Sequence, residues 1–153
     1  MRTLKVRKSF ERFEVEVGDE TVECVIDCTD EKLNRCAARA IEARDEALRL
    51  DEEKSREYDR AALDGLAERL AGVIGGVIVD AIGQGSYDAI LTACGDGVKL
   101  KPAQCNLVMA QVFAVVCQAY VERLDDVRQS KAAHYLQDVV KDAQGPDEAQ
   151  QGR

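Results

Sequence analysis

At 153 residues the chain has the length of one ordinary domain, enough to bury roughly two-thirds of its unfolded surface. Hydrophobic residues make up 46% and charged residues 33%, but aromatics only 5%, with no tryptophan; a core must therefore be built from Leu, Val, Ile, Ala and Cys, which suits close helix packing. The net charge of −8 excludes a general nucleic-acid binder, because neutralising phosphates takes clustered Lys and Arg.

The first twelve residues hold a local exception, with Arg2, Lys5, Arg7, Lys8 and Arg12 interleaved with Leu4, Val6 and Phe10. This pattern reads as a solvated strand or arm. It has no apolar stretch of the kind that opens a signal peptide. From Phe10 to Cys28 the period is two. Phe13, Val15 and Val17 alternate with Glu14 and Glu16, then Val22, Cys24 and Ile26 with Glu23 and Asp27, around a Gly18-Asp19-Glu20 turn. A β-hairpin with one apolar and one acidic face follows, and it must lie on something, because a lone hairpin is marginal in water.

Thr29 or Asp30 is a good helix N-cap, with Glu31 in the first turn. The helix it opens carries Leu33, Cys36, Ala37, Ala40, Ile41, Ala47 and Leu48 on one stripe. Leu50 to Arg60 is almost wholly charged, which predicts a solvated helix end, a connection and a new start near Ser55, with one continuous long helix as the alternative the pattern leaves open. The second helix shows Leu63, Leu66, Leu70, Val73 and Val77 in steps of three and four, the seam of an antiparallel bundle. Gly72, Gly75 and Gly76 interrupt it, which predicts close approach of a neighbouring element. Gly83 and Gly85 are expected to end this helix in left-handed conformations, Ser86 to cap a short helix over Tyr87–Cys94, and Gly95 to stop it. Asp96-Gly97 reads as a turn and Val98–Lys101 as extended ahead of Pro102, which suits a first helical turn. From Leu107 to Val121 nearly every residue is apolar, so this last helix is buried on all sides or covered on one by another chain. Leu124, Val127, Tyr135, Leu136, Val139 and Val140 continue a weaker stripe. Residues 143–153 read as a disordered tail.

The resulting fold class is mainly α with a small N-terminal β-hairpin (α+β): a hairpin at 1–29 packed on an antiparallel helical bundle at 30–142. No apolar run reaches the ~18 residues of a membrane span, and Leu70 to Ile82 comes nearest. The six cysteines fall mostly at apolar positions of these patterns, as reduced core thiols in a cytoplasmic protein do. Cys24, Cys28 and Cys36 supply three thiols, one short of a structural zinc site, and the single His134 is distant in sequence. Neither a metal, a cofactor nor a catalytic residue is expected. The glycines follow a helix rather than a strand and match no phosphate-binding pattern. Acidic groups such as Asp51, Glu52 and Glu53 stand in solvated stretches rather than in contrasting environments.

One stretch carries a family resemblance. In Val79–Asp96, Asp80, Ile82, Gly83, Gly85, Ile90 and Gly95 are spaced as in the small helical tail assembly chaperones of long-tailed bacteriophages and prophages of Gram-positive hosts. Those have a helix ending Asp-x-Leu-Phe-Gly-Glu-Gly and a short helix ending Ile-Phe-Gly. Here the aromatic before Gly83 is missing, and Cys94 stands where a phenylalanine precedes the last glycine. The resemblance implies a non-enzymatic cytoplasmic chaperone that binds the tape-measure protein or tail-tube subunits during tail assembly, with no nucleic-acid or membrane partner. Val73, Val77, Val112, Phe113 and Val116 are its candidate partner contacts. Gly83, Gly85, Ser86 and Gly95 serve as structural caps. The alternative is an α-helical homo-oligomer acting as a structural or regulatory module.

Overall fold

The computed structural model describes the backbone of residues 1–143 and the side chains of residues 1–129. Two antiparallel strands, β1 (Phe10–Val17) and β2 (Glu20–Asp27), precede four α-helices: α1 (Asp30–Ser55), α2 (Arg60–Ile82), α3 (Gln84–Cys94) and α4 (Asn106–Ala143), the last entered through a 3-10 turn at Pro102–Cys105. Mainly α with an N-terminal hairpin is therefore the observed class. The hairpin turns on the two residues Gly18-Asp19 and pairs Phe13 with Cys24 and Val15 with Val22, as the alternation requires. Its apolar face lies on the helices: Cys24 and Ile26 are fully buried, and Phe13, Val15 and Val22 pack at the margin.

Thr29 is the N-cap of α1, its hydroxyl accepting from the Lys32 amide, and Asp27 in turn accepts from the Thr29 amide at 3.0 Å and hydroxyl at 2.7 Å. This relay converts the end of β2 directly into α1. The expected helix end, connection and new start all fall within Leu50–Arg60, with α1 running on through charged last turns to Ser55 before it stops. Salt bridges within the helix, such as Arg49 to Glu46 at 2.6 Å, support it there. The new start falls instead at Asp59, whose carboxylate accepts from the Ala62 amide and caps α2. Only Arg56–Asp59 joins the two helices, so they return side by side and antiparallel. Arg39 on α1 reaches Asp80 on α2 at 3.1 Å.

The glycine segment folds differently from the expected double cap. Gly83 alone separates α2 from α3, with φ 90°, its amide donating to Val79 and its carbonyl accepting from Tyr87. A residue with a Cβ is strained there. Gly85 is a helical residue of α3 without positive φ, and Ser86 is the third residue of that helix rather than its cap. One glycine suffices because it serves as C-cap and N-cap at once. Gly95 does end α3, in an ordinary negative-φ conformation, with the left-handed residues being Asp96 and Gly97. A Cβ on Gly95 would strike the Val98 carbonyl, so that site is fixed by crowding. Of the α2 glycines, only Gly75 meets a close neighbour: Tyr87 of α3, whose hydroxyl lies 2.8 Å from where a Cβ would stand. Gly72 and Gly76 face open space.

One apolar core joins all of these elements: Ile26 from β2, Ala40 and Leu50 from α1, Ile74 and Ile78 from α2, Ile90 and Leu91 from α3, and Met109, Val116 and Tyr120 from α4. By length and composition, Pro102–Gln129 does reach what a membrane span requires, with a mean hydropathy of 1.4, where counting uninterrupted apolar residues fell short. In the fold one face of this helix lies in the core of the bundle and the other does not. The basic arm before β1 forms no strand. Arg7 docks on the acidic face of α4, 2.7 Å from Asp126 and 3.7 Å from Glu122, and Arg123 donates to the Lys8 carbonyl. The Tyr135–Val140 stripe lies on the helical backbone of α4, its side chains outside the described residues, as is the expected tail beyond Ala143.

Candidate functional site, an apolar groove between α1 and α4

α1 and α4 pack on α2 and on each other, and between them runs a groove of about 750 Å³. The α1 wall is one helical face, Arg44, Ala47, Leu48, Asp51 and Lys54, in steps of three and four. The α4 wall is another, Leu107, Ala110, Ala114, Gln118 and Val121. Leu70 and Ile74 of α2, with Phe113 and Cys117 of α4, make the floor. Leu48 is 63% and Leu107 74% exposed, so the two walls leave apolar area in water on facing sides of one groove. Small residues at 110 and 114 keep the α4 wall low. Charge is confined to the rim, where Arg44 and Lys54 stand with Asp51 and Glu122.

The burial pattern of α4 explains the groove. Met109, Val112, Val116, Ala119 and Tyr120 face inward, whereas Leu107, Ala110, Ala114 and Val115 do not. The all-apolar helix is thus half core and half surface. Of the five residues expected to contact a partner, Val77, Val112 and Val116 are buried in the chain's own core, Val73 is half-buried at its margin, and Phe113 alone lines the groove. Leu107, Ala110 and Ala114, one step around the helix, were not singled out by the sequence, because no periodicity within an unbroken apolar run separates inner from outer faces. Leu48 was assigned to the buried stripe of α1. It overlooks the groove instead because no element closes over it, while Leu50 is fully buried.

The groove offers no activated chemistry. Burial pushes the Cys117 thiol up to about 11, against a smaller opposing effect of Arg44, and its sulfur lies 3.7 Å from the Ala40 carbonyl. Such a thiol is protonated near neutral pH and a poor nucleophile. Cys24 and Cys28 are raised by the same cause. Tyr120 is shifted upward by burial too, its hydroxyl enclosed near Cys36 and Cys28 without a partner. Asn106, at one end of the groove, donates to the Ala67 carbonyl at 3.0 Å and leaves its own carbonyl oxygen buried and unpaired. Among the described residues, no group of three or more His, Cys, Asp or Glu side chains is placed to hold a metal ion. His134 lies outside the described side chains. What the arrangement can do is bind: its apolar lining between two helices suits the apolar face of a helix presenting residues at i, i+3, i+4 and i+7.

No protein-family model matches the chain, and no curated protein and no solved structure is similar to it.

Proposed function

We propose that this protein is a non-enzymatic chaperone of phage or prophage tail assembly, and that it holds an amphipathic segment of the tape-measure protein in the α1–α4 groove. The observation that carries the reading is the groove itself, with Leu48 and Leu107 exposed across an apolar floor. The spacing of Asp80, Gly83, Ile90 and Gly95 adds the family resemblance. An acidic surface on a chain of net charge −8 suits a protein that keeps an aggregation-prone partner in solution. Binding by this face buries leucines already exposed, so it costs the chaperone no unfolding.

The test is co-expression with the tape-measure protein of the same genome, followed by capture of the complex and its sizing by light scattering. A complex that forms with the parent chain and is weakened at least roughly tenfold by Leu107→Glu or Leu48→Glu supports the reading, since a buried apolar anchor at an interface is commonly worth that much. A tape-measure protein that stays insoluble alongside a folded chain, or a complex indifferent to both substitutions, sinks it.

A further inference from the structure

We propose that β1 is a pairing edge, and that a second copy of this chain adds its own β1 antiparallel to it, joining two hairpins into one four-stranded sheet about a two-fold axis at Phe13. The inference is independent of the groove, which lies on the other side of α4's exposed strip.

The backbone supplies the first argument. Val17 and Glu20 flank a two-residue turn, so they form the closing hydrogen-bonded pair of the hairpin. Alternation from that pair turns the amides and carbonyls of Phe10, Arg12, Glu14 and Glu16 away from β2. Among the described residues, no backbone hydrogen bond from outside the sheet reaches them. Their side chains are all exposed, and neither Pro nor a bulge interrupts the strand. An edge this long and regular is a template for another strand.

The second argument is charge, which selects both the occupant and the register. An antiparallel strand pair about Phe13 places Arg12 opposite Glu14 of the second copy, and Glu14 opposite Arg12, while Phe13 meets its own equivalent. Sliding by two residues to centre on Arg12 sets arginine against arginine, and centring on Glu14 sets glutamate against glutamate. A slide by one residue breaks the hydrogen-bonding parity of the edge and turns the apolar face outward. Only the Phe13-centred register satisfies the outward backbone groups, pairs opposite charges twice and opposes no like charges. Such a contact is self-complementary and closed, so it stops at two chains.

The third argument is a trough of mixed lining. Beside β1 about 240 Å³ lies between Phe13, Glu14, Val15 and Glu16 on one side and Val108, Gln111, Val112 and Val115 of α4 on the other, so apolar side chains stand there beside charged and amide ones. Val115 is 38% exposed there. Residues directly across an antiparallel pair share a face, so the Phe13 and Val15 of the incoming strand point toward this trough.

Sedimentation velocity over a concentration series tests the proposal on the full chain. The parent protein is expected to reach twice the 16.8 kDa of one chain as concentration rises. Arg12→Glu and Glu14→Arg each replace two attractive cross-strand pairs by two repulsive ones and are expected to weaken the dimer roughly tenfold. The double exchange, Arg12→Glu with Glu14→Arg, restores it. Both positions are exposed, and a helical circular-dichroism melt matching the parent's checks that each variant is folded. A chain that stays monomeric at hundreds of micromolar overturns the proposal. So does a dimer indifferent to both single reversals, or one not recovered by the double exchange.

Discussion

At the scale of single residues, the structure turns on a few contacts whose energetic sign can be worked out. Gly75 is the clearest. A helical glycine costs about 1 kcal/mol against alanine, so Gly75→Ala should stabilise α2 if nothing else changed. Tyr87 reverses that sign, because its hydroxyl lies 2.8 Å from where the new methyl must go, and overpacking a closed site costs about 1–3 kcal/mol. The ring carbon bearing the hydroxyl is 3.7 Å from the same point, an ordinary contact. Gly75→Ala is therefore expected to destabilise the protein by about 1 kcal/mol. In a Tyr87→Phe background the same substitution should instead stabilise it by about 0.5–1 kcal/mol. Urea denaturation of the four proteins measures the coupling. Additive effects would mean that Tyr87 does not hold α3 against α2 at this glycine.

At the scale of elements, much of the fold is written in the sequence. Period two over Phe13–Ile26 specifies the hairpin, and the Leu66–Val77 steps specify α2. What the sequence leaves open has physical causes. Charge in Leu50–Arg60 marks the break but not its place, because i to i+3 and i+4 pairs carry the solvated end of α1 on to Ser55. Two glycines and a serine read as a double cap, yet Gly83 satisfies both helix ends. The groove was the least legible part, because its α4 wall lies in an unbroken apolar run whose faces only packing can distinguish. The β2–α1 junction was legible down to its cap, and it has a pH signature. Hydrogen bonds from the Thr29 hydroxyl and amide, aided by Lys32 and Arg35, hold the Asp27 carboxyl below its usual value. A carboxylate with a lowered folded pKa stabilises the fold above its unfolded pKa, near 3.8, and that contribution is lost as pH falls through the lower folded value. Asp27→Ala is expected to cost about 1 kcal/mol at pH 7, the scale of a lost side-chain hydrogen bond. The gap between parent and variant should then narrow below about pH 4. A gap that is constant down to pH 2 would assign the cost to packing rather than to the ionised carboxylate.

At the scale of the whole molecule, the question is whether hairpin and bundle open together. The hairpin is too small to be stable alone, and Cys24, Ile26 and Cys28 share one buried cluster with Leu33 and Cys36 of α1 and Val116 and Cys117 of α4. Among the described residues its apolar face has no other partner, so losing the bundle must release the hairpin, and losing the hairpin must open the bundle core. The cysteines report on this without added probes. All six are free; Cys24, Cys28, Cys36 and Cys117 are buried in that cluster, whereas Cys94 and Cys105 are half-buried at the α3–α4 connection. Thiol-specific alkylation in a series of urea concentrations, read by mass spectrometry of peptides, should label Cys94 and Cys105 first and at a rate nearly independent of urea. The four core thiols should follow with one common urea dependence, because each becomes reactive only when the cooperative unit opens. That shared slope is set by the surface exposed on opening. Cys24 and Cys28 labelling at lower urea than Cys36 and Cys117 would show the hairpin detaching as a unit of its own. The edge of β1 would then belong to a mobile flap, and any second copy paired to it would have to bind the hairpin before the bundle closed beneath it.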